Sequence, residues 1–309
     1  MNPRLSAFLR PLQWLTSRIA VIYIVLFVLI LTCVDIHTVE KRNKIRHLNG
    51  ISPDFTQMNN FLTHQVPKPA MNWVPYKNYF ELVLRYMPQD AIAQELLGYV
   101  YYYMGQENKA IALLKSASNF SDNLFWPNYN LGVIYYKKGM YEQSFDYMSK
   151  AIAANPQGTV GYMYSSVMYR QIFFRYSSKL DVKEQLNDAF GLAYILMEAS
   201  LQHLQRYDQM LMIAASAVSH KEFPYQDAHA LYAGIACLEL RQADKAVLLF
   251  ERSLNLEKNN PLVYVYLAQI YKAIGKEQAG QELLKISQDI RMKNEGRFPY
   301  DQNIELRYF

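Results

Sequence analysis

Six histidines and two cysteines are the side chains of this 309-residue sequence best suited to metal binding or nucleophilic catalysis. Such chemistry needs them at characteristic spacings, as in H-E-x-x-H or C-x-x-C, or a serine in G-x-S-x-G. The sequence has none of these spacings and no glycine-rich phosphate loop. We therefore expect a non-enzymatic protein with no catalytic residue, no metal site, no cofactor and no small-molecule substrate.

The histidines and cysteines that lie in ordered patterns have simpler structural explanations. His203 and His229 fall in helical patterns, so we expect them to pack against neighbours or to face solvent. Cys33 lies in an apolar stretch and Cys237 in a helical pattern, which argues against a disulfide between them. A chain without disulfides fits either the cytosol or the periplasm.

The composition indicates protein interfaces and excludes nucleic acid as a partner. Tyrosine is amphipathic, and the 26 tyrosines predict large half-buried faces of the kind found at interfaces. The net charge is only +5, and the one basic cluster, Lys41–Arg46, lies beside an apolar segment. A nucleic-acid-binding surface would need a larger basic patch than this.

That apolar segment predicts a single transmembrane helix over residues 19–36. Residues 19–34 read IAVIYIVLFVLILTCV and carry no charge. As a helix they span roughly 24 Å, slightly less than the ~30 Å hydrocarbon core. A secretory signal peptide is the main alternative, but no small-x-small cleavage site follows Val34. We therefore expect the segment to remain attached as a membrane anchor.

The flanks of this helix are predicted to be an interfacial segment and a linker. Residues 1–18 carry leucines at helical spacing among arginines, which fits an interfacial helix or a disordered basic tail. Residues 37–75 contain several prolines and no sustained periodicity, so we predict a juxtamembrane linker. The basic residues of the two flanks nearly balance, and we favour the periplasm for the remainder of the chain.

A 34-residue period runs through the C-terminal two-thirds of the sequence. Leu-Gly, tyrosine, glycine and alanine recur in one phase, and the phase persists over five periods. The first two units show it best, at Gly98 and Gly132, Tyr101 and Tyr135, Gly105 and Gly139, and Ala117 and Ala151. The later units keep Gly234, Leu267, Tyr271 and Gly275. A fixed period of this length is the signature of a repeat architecture.

The stretches LLGYVYYYMGQENKAIALLKSA and NLGVIYYKKGMYEQSFDYMSKAIAANP resemble the tetratricopeptide repeat (TPR). The resemblance implies an all-α fold, a right-handed superhelical solenoid of antiparallel helix pairs, here with one N-terminal transmembrane helix. Small residues such as Gly98 and Gly132 would let paired helices approach closely. Gly105 and Gly139 would end the first helix of a pair in a left-handed turn.

Extended along the chain as a grid of units, the 34-residue period predicts a TPR-like solenoid over residues 76–292, followed by a tail at 293–309. Six units would start near Ala91, Phe125, Thr159, Ala193, Asp227 and Pro261, after a partial repeat at 76–88 that caps the array. The third and fourth units are degraded, since Ser165 and Ser166 replace Leu-Gly in the third. Residues 182–205 could form one long helix or two shorter ones, and the parity of a regular array favours two.

The resemblance also implies which side chains line the concave face, and these are the candidate partner-binding residues. They are Ile92, Tyr99, Tyr102, Tyr103, Trp126, Tyr129, Val133, Tyr136, Leu231, Ile235, Leu238, Leu262 and Val265. Family members that bind chaperone C-termini carry lysines and asparagines where Glu95, Tyr99 and Tyr103 lie here, so we do not expect that role. The aromatic side chains form a partner groove or pack between repeats.

Two functions fit these observations. The first is a protein-binding scaffold or structural subunit attached to an integral membrane protein complex. The second is an envelope assembly factor that transiently holds an extended client segment, as related proteins do in cytochrome maturation, pilus assembly and envelope assembly. The apolar linker and tail favour the first, since such segments are suited to permanent burial.

Overall fold

The computed structural model describes residues 3–55, 71–120, 124–154, 182–220, 223–293 and 304–307. The ordered elements in these ranges are helices, and no strand occurs among them, which confirms the all-α prediction for this part of the chain. The helices are α1 Pro3–Gly50, α2 Val74–Tyr86, α3 Ala91–Tyr103, α4 Glu107–Ser118, α5 Phe125–Lys137, α6 Tyr141–Ala153, α7 Val182–His203, α8 Tyr207–Ser219, α9 Gln226–Glu239, α10 Ala243–Leu256, α11 Pro261–Ala273 and α12 Glu277–Lys293.

Helix α1 belongs to a separate compact unit, residues 1–53. Its stretch Val21–Leu48 is long and apolar enough to cross a membrane, a property that a signal sequence near an N-terminus shares. Side chains from Val21 to Val34 are exposed, as lipid-facing residues would be. The helix continues through residues 37–50, which we predicted as the start of the linker. An i,i+4 ion pair between Lys44 and Glu40 (2.6 Å) supports this extension.

The second unit, residues 54–309, contains α2 to α12. Helices α3 to α12 form five consecutive pairs, and each pair is joined by a three-residue turn. The central residue of every such turn has a positive φ, at Gly105, Gly139, Gln205, Arg241 and Gly275. The next residue donates its N–H to a carbonyl five positions back, as from Gln106 to Tyr101 (2.8 Å). This closure satisfies C-terminal carbonyls of the first helix, and it confirms the predicted turns at Gly105 and Gly139.

Two of these turns carry a side chain in the left-handed conformation. Arg241 has φ +60°, whereas the equivalent Gly275 has φ +79°. A non-glycine residue in this region is strained by contact between its Cβ and the backbone. We expect Arg241→Gly to raise the free energy of unfolding by about 0.5–1 kcal/mol, measured by urea denaturation. Gly275→Ala is the reciprocal control and should lower it; an unchanged stability in both variants would contradict this account of the turn.

The described residues contain five helix pairs, and the second and third of these are in direct contact. The second pair packs directly on α7, because Tyr141 of α6 stacks on His203 (4.0 Å between ring centroids, 3° between planes). Beside this stack, Arg206 forms a two-point ion pair with Glu142 at 2.8 and 3.0 Å. The third predicted unit, starting near Thr159, falls largely on residues 155–181, which lie outside the described ranges, so that unit stays a prediction.

Residues 182–203 form one helix, not the two that we favoured. Helix α7 has 22 residues and serves as the first helix of its pair with α8. The helix continues through Gly191. A Cβ at this position would lie 2.7 Å from Pro224 Cγ and 2.8 Å from Tyr225 Cδ2. The glycine thus permits close packing against the segment before α9. The turn of this pair lies at residue 205, two residues before the position that the 34-residue grid gives.

Within three pairs, a glycine of the first helix faces a large side chain sixteen residues later. A Cβ at Gly98 would lie 3.0 Å from Leu114 Cγ, and one at Gly132 would lie 2.7 Å from Met148 Cε. For Gly234 the nearest atom is Phe250 Cε1, at 2.5 Å. The large side chain thus fills the space that the absent side chain of the glycine leaves, which fixes the spacing of the two helices.

Candidate protein-binding groove

The structure buries most of the thirteen residues that we predicted to line the concave face. Those buried are Ile92, Tyr99, Trp126, Tyr129, Val133, Tyr136, Leu231 and Ile235. Those of intermediate exposure are Tyr102, Tyr103, Leu238, Leu262 and Val265. The aromatic side chains of α3 and α5 therefore do not form an open face in this structure. Their role in binding a partner stays a prediction. Two segments of the chain cover these side chains.

One cover is the short segment that precedes α2. The ring of Trp73 stacks on Tyr103, with 5.4 Å between centroids and 15° between planes. It also meets Tyr99 edge-on at 6.0 Å. Trp73 is only 6% exposed, so this indole is held against α3 by aromatic contacts on more than one side. The end of the predicted linker is thus part of the packed array.

The other cover is the C-terminal segment, residues 304–307. This segment is not helical, and its side chains alternate, with Ile304 (3% exposed) and Leu306 (2%) buried and Glu305 and Arg307 half-buried. Alternating burial indicates an extended backbone, because successive side chains then point to opposite sides. The two apolar side chains are therefore enclosed by the array, although they follow the last helix α12 in the chain.

Asn130 of α5 holds this segment by its backbone. Its Nδ2 donates to the carbonyl of Arg307 (2.5 Å), and its Oδ1 accepts from the N–H of Arg307 (2.8 Å). One amide therefore satisfies both backbone polar groups of one residue, as a neighbouring strand would. Asn130 is fully buried, so leaving its amide without these partners would be costly.

Asp188 of α7 holds the same segment by its side chain. Its Oδ2 accepts from Arg307 Nη1 (2.5 Å), while its Oδ1 accepts from the hydroxyl of Tyr225 (2.6 Å). Burial, followed by the hydrogen bond to Asp188, raises the pKa of Tyr225 above its ordinary value, so the phenol stays a donor at neutral pH. Asp188 is thus oriented by one neutral donor and one cation.

Tyrosines of α3 and α5 complete the contacts. The hydroxyl of Tyr103 lies 3.5 Å from Glu305 Oε2, and that of Tyr129 lies 3.5 Å from the carbonyl of Glu305. Burial raises the pKa of Tyr129 to about 12, with the charge of Arg307 opposing the rise. We call the surface formed by Tyr103, Tyr129, Asn130, Asp188 and Tyr225 the groove. It is lined by the first helices of three consecutive pairs, together with the residue that precedes α9.

The residues predicted from the sequence include Tyr103 and Tyr129 of the groove, but not Tyr225 or the two polar anchors. Asn130 directly precedes the Leu-Gly of the second unit, and an amide inside FWPNYNLGVIYY was a usable signal. Asp188 had no such signal, because it lies before Ala193, where the fourth unit was predicted to start. Its place beside Arg307 depends on the direct packing of α7 on α6.

The remaining polar groups give no sign of a metal site in the part of the chain that the structure describes. No group of three or more His, Cys, Asp or Glu side chains lies close enough there to hold an ion. Cys33 and Cys237 are free thiols, and His203 stacks on Tyr141. His229 pairs with Glu198 inside the array. The arrangement of the groove suits binding of a peptide backbone.

Comparison with known proteins identifies part of this array. Residues 98–139 match a model described as TPR repeat, and residues 127–157 match one described as tetratricopeptide repeat. Residues 98–157 therefore contain TPR repeats, which are protein-interaction modules. The sequence has no match among curated proteins.

Several solved structures are similar to this chain at low sequence identity. One is described as "YrrB: a TPR protein with an unusual peptide-binding site", at 15% identity and TM-score 0.48, covering 70% of this chain and 93% of that one. Another is a MamA fragment from Desulfovibrio magneticus RS-1, at 13% identity and TM-score 0.48, covering 67% and 98%. A further MamA structure has 17% identity and TM-score 0.46, covering 70% and 93%.

Proposed function

We propose that this chain is a non-enzymatic scaffold or structural subunit that is anchored by its N-terminal helix and binds an integral membrane protein complex. The apolar stretch Val21–Leu48 supports the anchor. The TPR repeats at residues 98–157 support a role in binding proteins. In this proposal α2 to α12 lie on the periplasmic side, and the partner is a protein, not a nucleic acid or a small molecule.

The observation that carries the proposal is the two-point contact of Asn130 with the backbone of Arg307. A buried amide that pairs with backbone N–H and C=O recognises an extended segment irrespective of its side chains. Two enclosed apolar side chains beside it, Ile304 and Leu306, add buried area to that contact. The groove thus offers an extended protein segment both a partner for its backbone and a place to bury apolar side chains.

An assembly factor that holds client segments transiently is the second candidate. The contact of Asn130 with the backbone of Arg307 also favours this function, because a site that binds backbone groups accepts many client sequences. The two functions differ in the lifetime of the complex. A structural subunit stays bound through purification in mild detergent, whereas a client dissociates when its assembly is complete.

Site-specific photo-cross-linking of the full-length chain tests the proposal. A photoreactive phenylalanine in place of Tyr102, which lies at the edge of α3 near the groove, should cross-link to a membrane protein in the producing cells. The same group in place of Met212, which is 68% exposed on the second helix α8, should not. Mass spectrometry would identify the cross-linked protein. Equal capture at both positions, or none at Tyr102, would contradict binding at the groove.

A further inference from the structure

The C-terminal segment contacts the first helices of the early pairs, which a simple cap of the last pair would not do. It follows α12, the last helix, yet residues 304–307 contact α3, α5 and α7. Helix α12 packs on α11. A cap of the last pair would instead cover that pair. The segment thus occupies the surface that the proposed function assigns to a partner.

Its contacts separate into a general part and a selective part. Asn130 forms hydrogen bonds only with the backbone of Arg307, so it could bind any extended segment. Asp188 selects for the side chain of Arg307, because its carboxylate forms an ion pair with the guanidinium at 2.5 Å. A neutral side chain there would leave Asp188 with Tyr225 as its remaining donor among the described contacts, and an acidic one would meet a like charge.

The two buried positions of the segment also restrict which side chains a bound segment can have. Ile304 and Leu306 are 3% and 2% exposed, and a charged side chain at either position would have to be desolvated without a partner. The contacts therefore define a short pattern: two apolar residues separated by one position, followed directly by a basic residue. The tail matches it with Ile304, Leu306 and Arg307.

We propose, resting on the function proposed above, that residues 304–307 are an internal occupant of the groove which a partner segment displaces. The partner segment has the same chemistry: extended, apolar at two alternate positions and basic next to Asp188. Because the tail is covalently attached, its effective concentration at the groove is on the order of millimolar. A free peptide therefore binds the intact protein weakly, and binds it better once the tail is weakened.

The test uses the full-length protein in mild detergent and a fluorescent peptide with the sequence of residues 301–309, DQNIELRYF. Leu306→Asp weakens the tail without changing the groove. Met292→Asp is the matched control, since Met292 is 79% exposed at the end of α12. We expect Leu306→Asp to bind the peptide at least tenfold more tightly than the wild type or the control, measured by fluorescence anisotropy.

The selective part is tested by exchanging charges. In the Leu306→Asp background, a peptide with aspartate in place of its arginine should bind at least tenfold more weakly. Adding Asp188→Arg to the protein should reverse that preference. If both peptides bind equally, the basic-residue selectivity is overturned, while the groove still binds extended segments.

Circular dichroism separates displacement from unfolding. Arg307→Glu is a second tail variant, milder because Arg307 is half-buried. If both tail variants keep their helicity and neither gains affinity for the peptide, the tail is a permanent part of the fold and the inference fails. Cross-linking at Tyr102 would still report on the partner in that case, so the proposed function is judged separately. Loss of helicity in Arg307→Glu would equally show that the tail is structural.

Discussion

Glu198→Ala is expected to lower the free energy of unfolding by about 3–5 kcal/mol at pH 7, because it breaks a fully buried pair. Both side chains are 0% exposed, and His229 Nδ1 lies 2.8 and 3.0 Å from the two carboxylate oxygens of Glu198. The pair joins α7 to α9. Removing the carboxylate leaves a cavity and an imidazole without its partner. Urea denaturation followed by circular dichroism measures the loss.

Glu198 lies where three of the other four described pairs have a glycine and the last has Ala268, which suggests a matched rescue. Counting from the turns, it is equivalent to Gly98, Gly132 and Gly234, and the residue sixteen positions later is the small Ala214. The triple variant Glu198→Gly, Ala214→Leu and His229→Val introduces a glycine that faces a leucine, as Gly98 faces Leu114, and a valine at the place that Val263 takes in the last pair. We expect it to recover most of the lost stability, because well-packed apolar residues commonly replace a buried pair without cost. A triple variant as unstable as Glu198→Ala would contradict this equivalence.

The same pair should make stability depend on pH. Burial raises the pKa of Glu198 above 4.5, with His229 opposing the rise. The folded chain then holds this proton more tightly than the unfolded chain does. Its contribution to stability is complete below pH 4.5 and is lost as the pH rises through the folded-state value. Glu198→Gln keeps the volume of the side chain, and it should flatten this part of the stability profile above pH 4.5.

Gly234→Leu is expected to lower the free energy of unfolding by about 3 kcal/mol, because the space beside it is filled. Even a Cβ would lie 2.5 and 2.7 Å from two atoms of the Phe250 ring. That ring is fully buried and stacked on Tyr266 (5.6 Å, 10°), so it has little room to move. Overpacking of this kind costs about 1–3 kcal/mol, and the larger side chain puts this variant at the upper end.

A double-mutant cycle gives the control for this prediction. Phe250→Ala alone should cost about 3–5 kcal/mol by leaving a cavity. Gly234→Leu with Phe250→Ala should lose less than the sum of the two, by about 1 kcal/mol or more, since the leucine enters that cavity. Helix content and urea midpoints of the four proteins measure the coupling. Additive losses would show that the two positions do not share one space.

The amino-acid sequence by itself determined the local units. Three of the five described turns follow from glycines at fixed phase, because a glycine readily takes the left-handed conformation that ends a helix. The helices follow from apolar periodicity, and the TPR phase from the small residues that face large ones, as Gly98 faces Leu114. These are nearest-neighbour properties, so a short window of sequence contains them.

Tertiary structure decided what short windows do not contain. The direct packing of α6 on α7 depends on Tyr141, Glu142, His203 and Arg206, which are far apart in the sequence. The groove joins Asn130 and Asp188 to Arg307, a residue of the tail. Such pairings lie between residues separated by more than one repeat, and no period relates them. The packed fold brings them together, because residues 304–307 lie against the first helices of the early pairs.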